Sequence, residues 1–321
     1  MHVRGLASNI MKTALIYHPI YLKHDTGPHH PERASRLQAI LRKLQKTDLI
    51  NKLQLTEPGK ASIDDIALVH HRSYIAKVKD AVKNGLLNLD PDTVISQDSF
   101  EAALFAAGGV INAIDLVFKG GADNAFCMVR PPGHHARPSQ AMGFCIFNNI
   151  AIAARYLQKQ HGIERVVVID WDVHHGNGTE EAFYDDESVL YISLHQYPHY
   201  PGTGAREDNG KDKGKGFNLN LPMPAGSGDN EYIKVFKELV VPKVNSFKPQ
   251  FILISAGFDG HRDDPLSSIT LTEKGYYEMT AILKESAKLY SENRIVSVLE
   301  GGYNLFSLAD SVHTHLEALM S

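Results

Sequence analysis

The sequence predicts one α/β domain, with a mainly parallel sheet and helices on both of its faces. Short apolar, β-branched runs such as Val166-Val167-Val168-Ile169 have the length and composition of strands buried on both sides, as in a parallel sheet. These runs alternate with segments of helical period along the whole chain, the pattern of repeated strand-helix units. No repeat and no linker divides the 321 residues, a length that single α/β domains reach.

Composition narrows the class. Hydrophobic residues make up 43% and charged residues 22%, ordinary values for a globular enzyme. The net charge of -4 supplies no basic field for direct nucleic-acid binding. The two cysteines, Cys127 and Cys145, are too few for a disulfide framework, and their apolar neighbours predict buried thiols. No run approaches the ~20 apolar residues of a membrane span. Residues 1–12 lack the apolar core of a signal peptide. They are expected to form an N-terminal extension to a domain over 13–321, with Met11 as an alternative start. A reducing cytoplasm is the expected compartment, with export by a route lacking an N-terminal signal left open.

The elements follow in order. Thr13 to His18 reads as the first strand. Pro31 suits the first turn of a helix to about Lys46, with Leu37, Ile40, Leu41 and Leu44 on one face. Ile63 to Lys83 reads as a second amphipathic helix. Asp90-Pro91-Asp92-Thr93 is a turn. Ser99 is the expected N-cap of a helix to about Phe118, whose Ala106-Ala107-Gly108-Gly109 centre predicts close packing against a neighbour. Ala125 to Val129 is a strand, and Phe147 to Gln160 an alanine-rich helix. Val166 to Ile169 is the central strand, followed by a short helix from Thr179 to Tyr184. Val189 to His195 is a strand and Gln196 to Gly216 a long surface loop. Asn230 to Phe247 is a helix that Pro242 kinks. Phe251 begins another buried strand, Thr272 to Asn293 is a helix, Ile295 to Leu299 is the last strand, and a helix closes the chain.

The polar residues that invite chemistry fall just after strands: His134 and His135, Asp170 to His174, Asp259, and Tyr303. In open α/β sheets ligands bind outside the carboxyl ends of the strands, so four segments deliver side chains to one rim. Asp170, Asp172 and His174 stand at i, i+2 and i+4, which puts them on one face of an extended strand. Two carboxylates and an imidazole there suit Zn²⁺ or a similar divalent ion. Gly176 and Gly178 allow a sharp turn just after them.

Six segments carry a family resemblance. They are Thr26-Gly27-Pro28-His29-His30-Pro31-Glu32-Arg33, Arg130-Pro131-Pro132-Gly133-His134-His135, Gly143-Phe144-Cys145-Ile146-Phe147-Asn148, Asp170-Trp171-Asp172-Val173-His174-His175-Gly176-Asn177-Gly178, Ala256-Gly257-Phe258-Asp259 and Glu300-Gly301-Gly302-Tyr303. In order and over nearly the whole chain, they resemble the zinc-dependent histone deacetylase superfamily, of the class II and bacterial deacetylase-like type with the arginase/deacetylase fold. The resemblance implies Zn²⁺ held by Asp172, His174 and Asp259, with a water in the open position. It implies His135 as general base and then acid, and His134 beside it in an electrostatic role. Asp170 would hold His134, and Asn177 would orient His135. Tyr303 would donate to the oxyanion. Gly143 and Phe144 would form one wall of an acyl-lysine channel and Tyr200 the opposite wall. Asp92, with Asp90 beside it, resembles the rim acid that grips substrate backbone, and Leu266 lies at the channel mouth. Arg33 and Gly301 would lie near the inner acetate-exit region. A structural K⁺ is implied at Asp170, Ser193 and the carbonyls of Asp172, His174 and Leu194, and a second near Phe183, Asp186, Val189 and Phe217.

Three alternatives stand beside this reading. An arginase-like two-manganese site needs an acid where this chain has Gly176. An acetylpolyamine amidohydrolase would share the chemistry but take a small cation. A non-catalytic acetyl-lysine reader would be expected to lack Tyr303 or a zinc ligand, and all are present. The expected substrate is acetylated lysine in peptides or proteins, histone tails included, because Leu266 offers no charge to a second ammonium group but packs against a lysine stem. Oligomeric state is not readable.

Overall fold

The computed structural model describes residues 11–321. The expected extension thus lies outside the described residues except for its last two. Of these, Met11 donates its amide to the Met320 carbonyl (3.1 Å) and Lys12 donates its amide to the Asp123 carboxylate (2.6 Å).

Among the described residues, eight strands form one all-parallel sheet: β1 (Thr13–Ile16), β2 (Gln54–Thr56), β3 (Asn124–Cys127), β4 (Val166–Asp170), β5 (Val189–Gln196), β6 (Asn218–Met223), β7 (Phe251–Ala256) and β8 (Ile295–Leu299). Their order is β2-β1-β3-β8-β7-β4-β5-β6. Every residue of β3, β4, β7 and β8 is buried, as their apolar runs require once helices cover both faces. Ile169 pairs with Ile254 on one side and Ile192 on the other.

The two strands absent from the sequence expectation, β2 and β6, are the sheet's edges. β2 has three residues, none fully buried. β6 carries Asn218, Asn220 and Pro222, and a proline without an amide donor is tolerated where a strand has only one neighbour. Neither has the unbroken apolar run that marks a central strand.

The helices are α1 (Ser35–Lys46), α2 (Ile63–Ile66), α3 (Arg72–Lys83), α4 (Ser99–Phe118), α5 (Asn149–His161), α6 (Asn177–Phe183), α7 (Asp229–Val235), α8 (Val241–Phe247), α9 (Glu273–Tyr290) and α10 (Leu305–Met320). The single helix expected over 63–83 is broken. Ser62 and Asp65 close a capping box on α2, and His70 turns inward between the Arg137 carbonyl (3.0 Å) and the Asn148 amide (2.8 Å). Ser99 is the first residue of α4 and not its cap; its hydroxyl accepts from the Ser96 amide (2.7 Å) and bonds His24 (2.7 Å). Between α7 and α8 a π-helical turn (Phe236–Val240) widens the helix just before Pro242, so the ring is accommodated without ending it.

One expectation needs correcting. α4 is long and apolar enough to cross a membrane by length and composition, although Glu101, Asn112 and Asp115 interrupt its apolar run. Here 61% of its most apolar stretch is buried inside the protein. The glycine pair shows why. A Cβ on Gly108 would lie 2.1 Å from the Gly59 carbonyl oxygen and 2.5 Å from the Ala61 nitrogen. Both cysteines are buried and free, as expected.

Gly108→Ala must therefore push apart two backbones. We expect a stability loss of about 1–3 kcal/mol, the usual cost of overpacking, read as a lower urea midpoint. An unchanged midpoint would contradict the packing described.

Candidate active site

Four strands adjacent in the sheet, in the order β3-β8-β7-β4, end at the candidate site. They deliver His134 and His135, Glu300 to Tyr303, Asp259, and Asp170 to His174 respectively.

Asp172, His174 and Asp259 are buried and bring one ligand atom each to within 4.8 Å of the others. His174 Nδ1 lies 3.2 Å from Asp172 Oδ1 and 3.1 Å from Asp259 Oδ2. Backbone amides aim the carboxylates: Val173 donates to Asp259 Oδ1 (2.9 Å), His174 to Asp172 Oδ1 (2.9 Å) and Gly301 to Asp172 Oδ2 (2.8 Å). Burial opposes a charged His174, yet hydrogen bonds and charge from Asp172 and Asp259 win and raise its pKa to about 10. The trio thus favours positive charge at its centre, and its two carboxylates and imidazole form a donor set suited to Zn²⁺.

Asp170 is not one of the trio, against the reading from strand spacing. β4 ends at Asp170, so the alternation of faces does not continue through Asp172. The Asp170 carboxylate lies 3.0 Å from His134 Nδ1 and accepts the Tyr191 hydroxyl (3.1 Å) and the Asp172 amide (3.1 Å).

The rings of His134 and His135 are 4.0 Å apart but titrate in opposite directions. Burial disfavours charge on His134, and Asp170, Asp172 and Glu300 outweigh it and raise its pKa well above the ordinary range. Burial, with the nearby His134 and His174, holds His135 well below that range. His135 Nδ1 lies 2.8 Å from Asn177 Oδ1. An amide oxygen only accepts, so Nδ1 carries the proton and Nε2 keeps its lone pair.

A pocket of about 240 Å³ opens above these groups. Gly143, Phe144 and Tyr303 line it, with Tyr200, His199, Leu266 and Asp92. Gly143 (φ 56°) and Phe144 (φ 68°) both have left-handed backbone. A Cβ on Gly143 would lie 2.4 Å from the His135 ring, so only glycine lets this wall approach. The Phe144 ring stands edge-on to Tyr303 (6.0 Å), and Tyr200 edge-on to His135 (5.3 Å). Burial, then the charge of Asp259, raises the Tyr303 pKa well above the tyrosine range, so its hydroxyl remains a donor.

Several groups were not singled out by the sequence. His199 stacks on His174 (5.1 Å) and lies 2.9 Å, through Nε2, from the Leu266 carbonyl. Glu300 is fully buried and accepts from the amides of Gly133 (2.7 Å) and His134 (3.2 Å) and from the Ser255 hydroxyl (3.1 Å), anchoring the histidine pair. The inner arginine is Arg36, not Arg33. Arg33 donates to the Pro28 carbonyl at the surface (2.6 Å). Arg36 is buried 5.1 Å from the Tyr303 ring centre and donates to the carbonyls of Gly302 (2.6 Å) and Glu300 (2.6 Å). Glu32 balances it and Arg130. The signal was available, since Arg36 shares a helical face with Ile40 and Leu44. Gly301 stands under the trio and not on the pocket wall. Gly176 has no room for an acid: a Cβ there would lie 2.3 Å from Asp170 Oδ2 and 2.5 Å from the Tyr191 hydroxyl, which closes off a second metal site of the arginase kind.

Residues 30–319 match the model of the histone deacetylase domain. The chain belongs to the histone deacetylase family. It is 46% identical to a probable deacetylase of Archaeoglobus fulgidus, covering 92% of this chain and 82% of that protein. It is 39% identical to a histone deacetylase-like amidohydrolase of Pseudomonas aeruginosa, over 91% of this chain and 82% of the relative. The crystal structure of the HDA15 HD domain superposes with a TM-score of 0.92 at 37% identity, covering 97% of this chain and 88% of that one. The protein is thus a histone deacetylase-family hydrolase with the single-domain α/β fold expected.

A Cβ on Gly301 would lie 2.0 Å from Asp259 Oδ2 and 2.6 Å from Asp172 Oδ2. Gly301→Ala should therefore displace both carboxylates and lower the divalent metal retained after dialysis, although no ligand is changed. One full equivalent of retained metal, measured by elemental analysis, would contradict this.

Proposed function

We propose that this hydrolase removes the acetyl group from Nε-acetyl-lysine in peptides and proteins, histone tails included, with Zn²⁺ held by Asp172, His174 and Asp259. The observation that carries the reading is the pocket, where Gly143, Phe144, Tyr200 and Leu266 line a space of about 240 Å³ suited to an apolar lysine stem. When bound, the ion supplies a Lewis acid that polarises the amide carbonyl and acidifies water.

The chain's own groups do the rest. His135, neutral with Nε2 free, takes a proton from the attacking water and later gives it to the lysine amine as the C–N bond breaks. Asn177 orients that ring but adds no charge to it. His134, held charged by Asp170, places positive potential beside the reacting carbonyl. Tyr303 keeps its proton and donates it in a hydrogen bond to the developing oxyanion. Acetate and lysine leave. Asp92, at the pocket edge, grips the substrate backbone.

The same reading assigns a structural K⁺ to Asp170, Ser193 and the carbonyls of Asp172, His174 and Leu194. Asp170 faces Ser193 across the β4–β5 pair and both are fully buried, which supports a cation there.

One observation favours a second reading. Asp92 lines the pocket and offers a carboxylate to the distal ammonium of an acetylpolyamine. The test compares kcat/KM for an acetyl-lysine peptide and N-acetylputrescine, in the native protein and in Leu266→Glu. The peptide should be preferred natively, and the substitution should shift the ratio toward the polyamine by placing charge at the mouth. A native preference of about tenfold or more for the polyamine, ~1.4 kcal/mol, would overturn the protein-lysine reading and leave the amide chemistry standing.

A further inference from the structure

Asp264 lies between the two loops that complete the pocket, and it belongs to none of the groups described so far. It is 6% exposed and spends its carboxylate on backbone amides. Oδ2 accepts from the amides of Tyr303 (2.6 Å) and Asn304 (3.2 Å), and Oδ1 from the amide of Leu266 (3.0 Å). The far side of Leu266 is gripped too, since its carbonyl oxygen lies 2.9 Å from His199 Nε2. One side chain therefore fixes both the loop that carries Tyr303 and the pocket wall at Leu266.

The need for such a clamp is visible in the loop itself. Tyr303 follows Gly301 and Gly302, and Gly302 has φ 119°, a backbone state that only glycine adopts readily. The two glycines contribute no side-chain packing, so backbone hydrogen bonds hold the approach to Tyr303, and any rotation there is magnified at the hydroxyl, at the far end of its ring. Arg36 holds the carbonyls before Tyr303, at Glu300 and Gly302. Asp264 holds the amides at and after it. A carboxyl group suits this place because its two oxygens serve three amide donors at once, whereas an asparagine has one accepting oxygen.

We propose that Asp264 is a positioning residue for the reaction, acting through Tyr303 by fixing the backbone from which the oxyanion donor projects. The proposal rests on Tyr303 as that donor. Displacement of a donor by about 1 Å from its productive position can cost on the order of 10² in rate.

A double-mutant cycle tests it: Asp264→Ala, Tyr303→Phe and the pair, each assayed for kcat and KM on an acetyl-lysine peptide with retained metal measured alongside. Tyr303→Phe alone should lower kcat by about 10²–10³, the usual loss of one oxyanion donor. Asp264→Ala should lower kcat by about tenfold or more in the native background but change it by less than about twofold in the Tyr303→Phe background, with metal content unchanged. Asp264→Asn should fall between native and alanine, and it carries the same cycle if the alanine variant does not fold. An equal loss in both backgrounds, or no loss in either, overturns the clamp and leaves Tyr303 as donor. An unchanged kcat in Tyr303→Phe alone overturns the donor and the clamp with it.

Discussion

The structure is organised around buried carboxyl groups. Asp170, Asp172, Asp259 and Glu300 are each at most 1% exposed, and all lie at the ends of adjacent strands. Leaving one buried carboxylate uncompensated costs several kcal/mol, so the surrounding chain must answer each of them. His134 answers Asp170. Amides of Gly133 and His134 answer Glu300. Asp172 and Asp259 receive amides too, but they face one another across His174 and share a demand for positive charge that a divalent cation meets. The close approaches follow from this crowding. Gly176, Gly257 and Gly301 are each glycine where a Cβ would strike one of these carboxylates.

The same charge divides the labour of the histidine pair. The two rings are neighbours in sequence and in space, and burial lowers the basicity of both. Only His134 sits against carboxylates strong enough to reverse that. Once it is charged it helps keep His135 neutral, so two identical side chains are pushed to opposite charge states. Two titratable groups pushed apart by their surroundings are a common physical basis for acid-base chemistry near neutral pH.

What was legible in the sequence was whatever depends on local pattern. The six buried strands show as apolar runs, and the polar residues after them fall on one rim because parallel strands end together. The edge strands β2 and β6 were not legible, because an edge needs no continuous apolar run. Spacing alone grouped Asp170 with the metal ligands because it extends strand geometry four residues, to His174, past the point where β4 ends. Arg36 was passed over for Arg33, although an arginine on the face of Ile40 and Leu44 must find a buried partner. Glu300, Asp264 and His199 act on backbone groups far away in sequence, and no local spacing announces such bonds. The glycine-rich loop at residues 300–303 was read as a motif, but its shape is set by Arg36 and Asp264 on either side.

The proposed chemistry depends on a divalent cation held by two buried carboxylates, Asp172 and Asp259, and His174. The most direct measurement strips the protein of metal with a chelator, then titrates Zn²⁺ back while following thermal unfolding and hydrolysis of an acetyl-lysine peptide together. An inactive protein of lowered Tm is expected, with both properties restored in step at one equivalent of Zn²⁺. Full turnover by rigorously metal-free protein, or restored activity with no change in Tm, would contradict it.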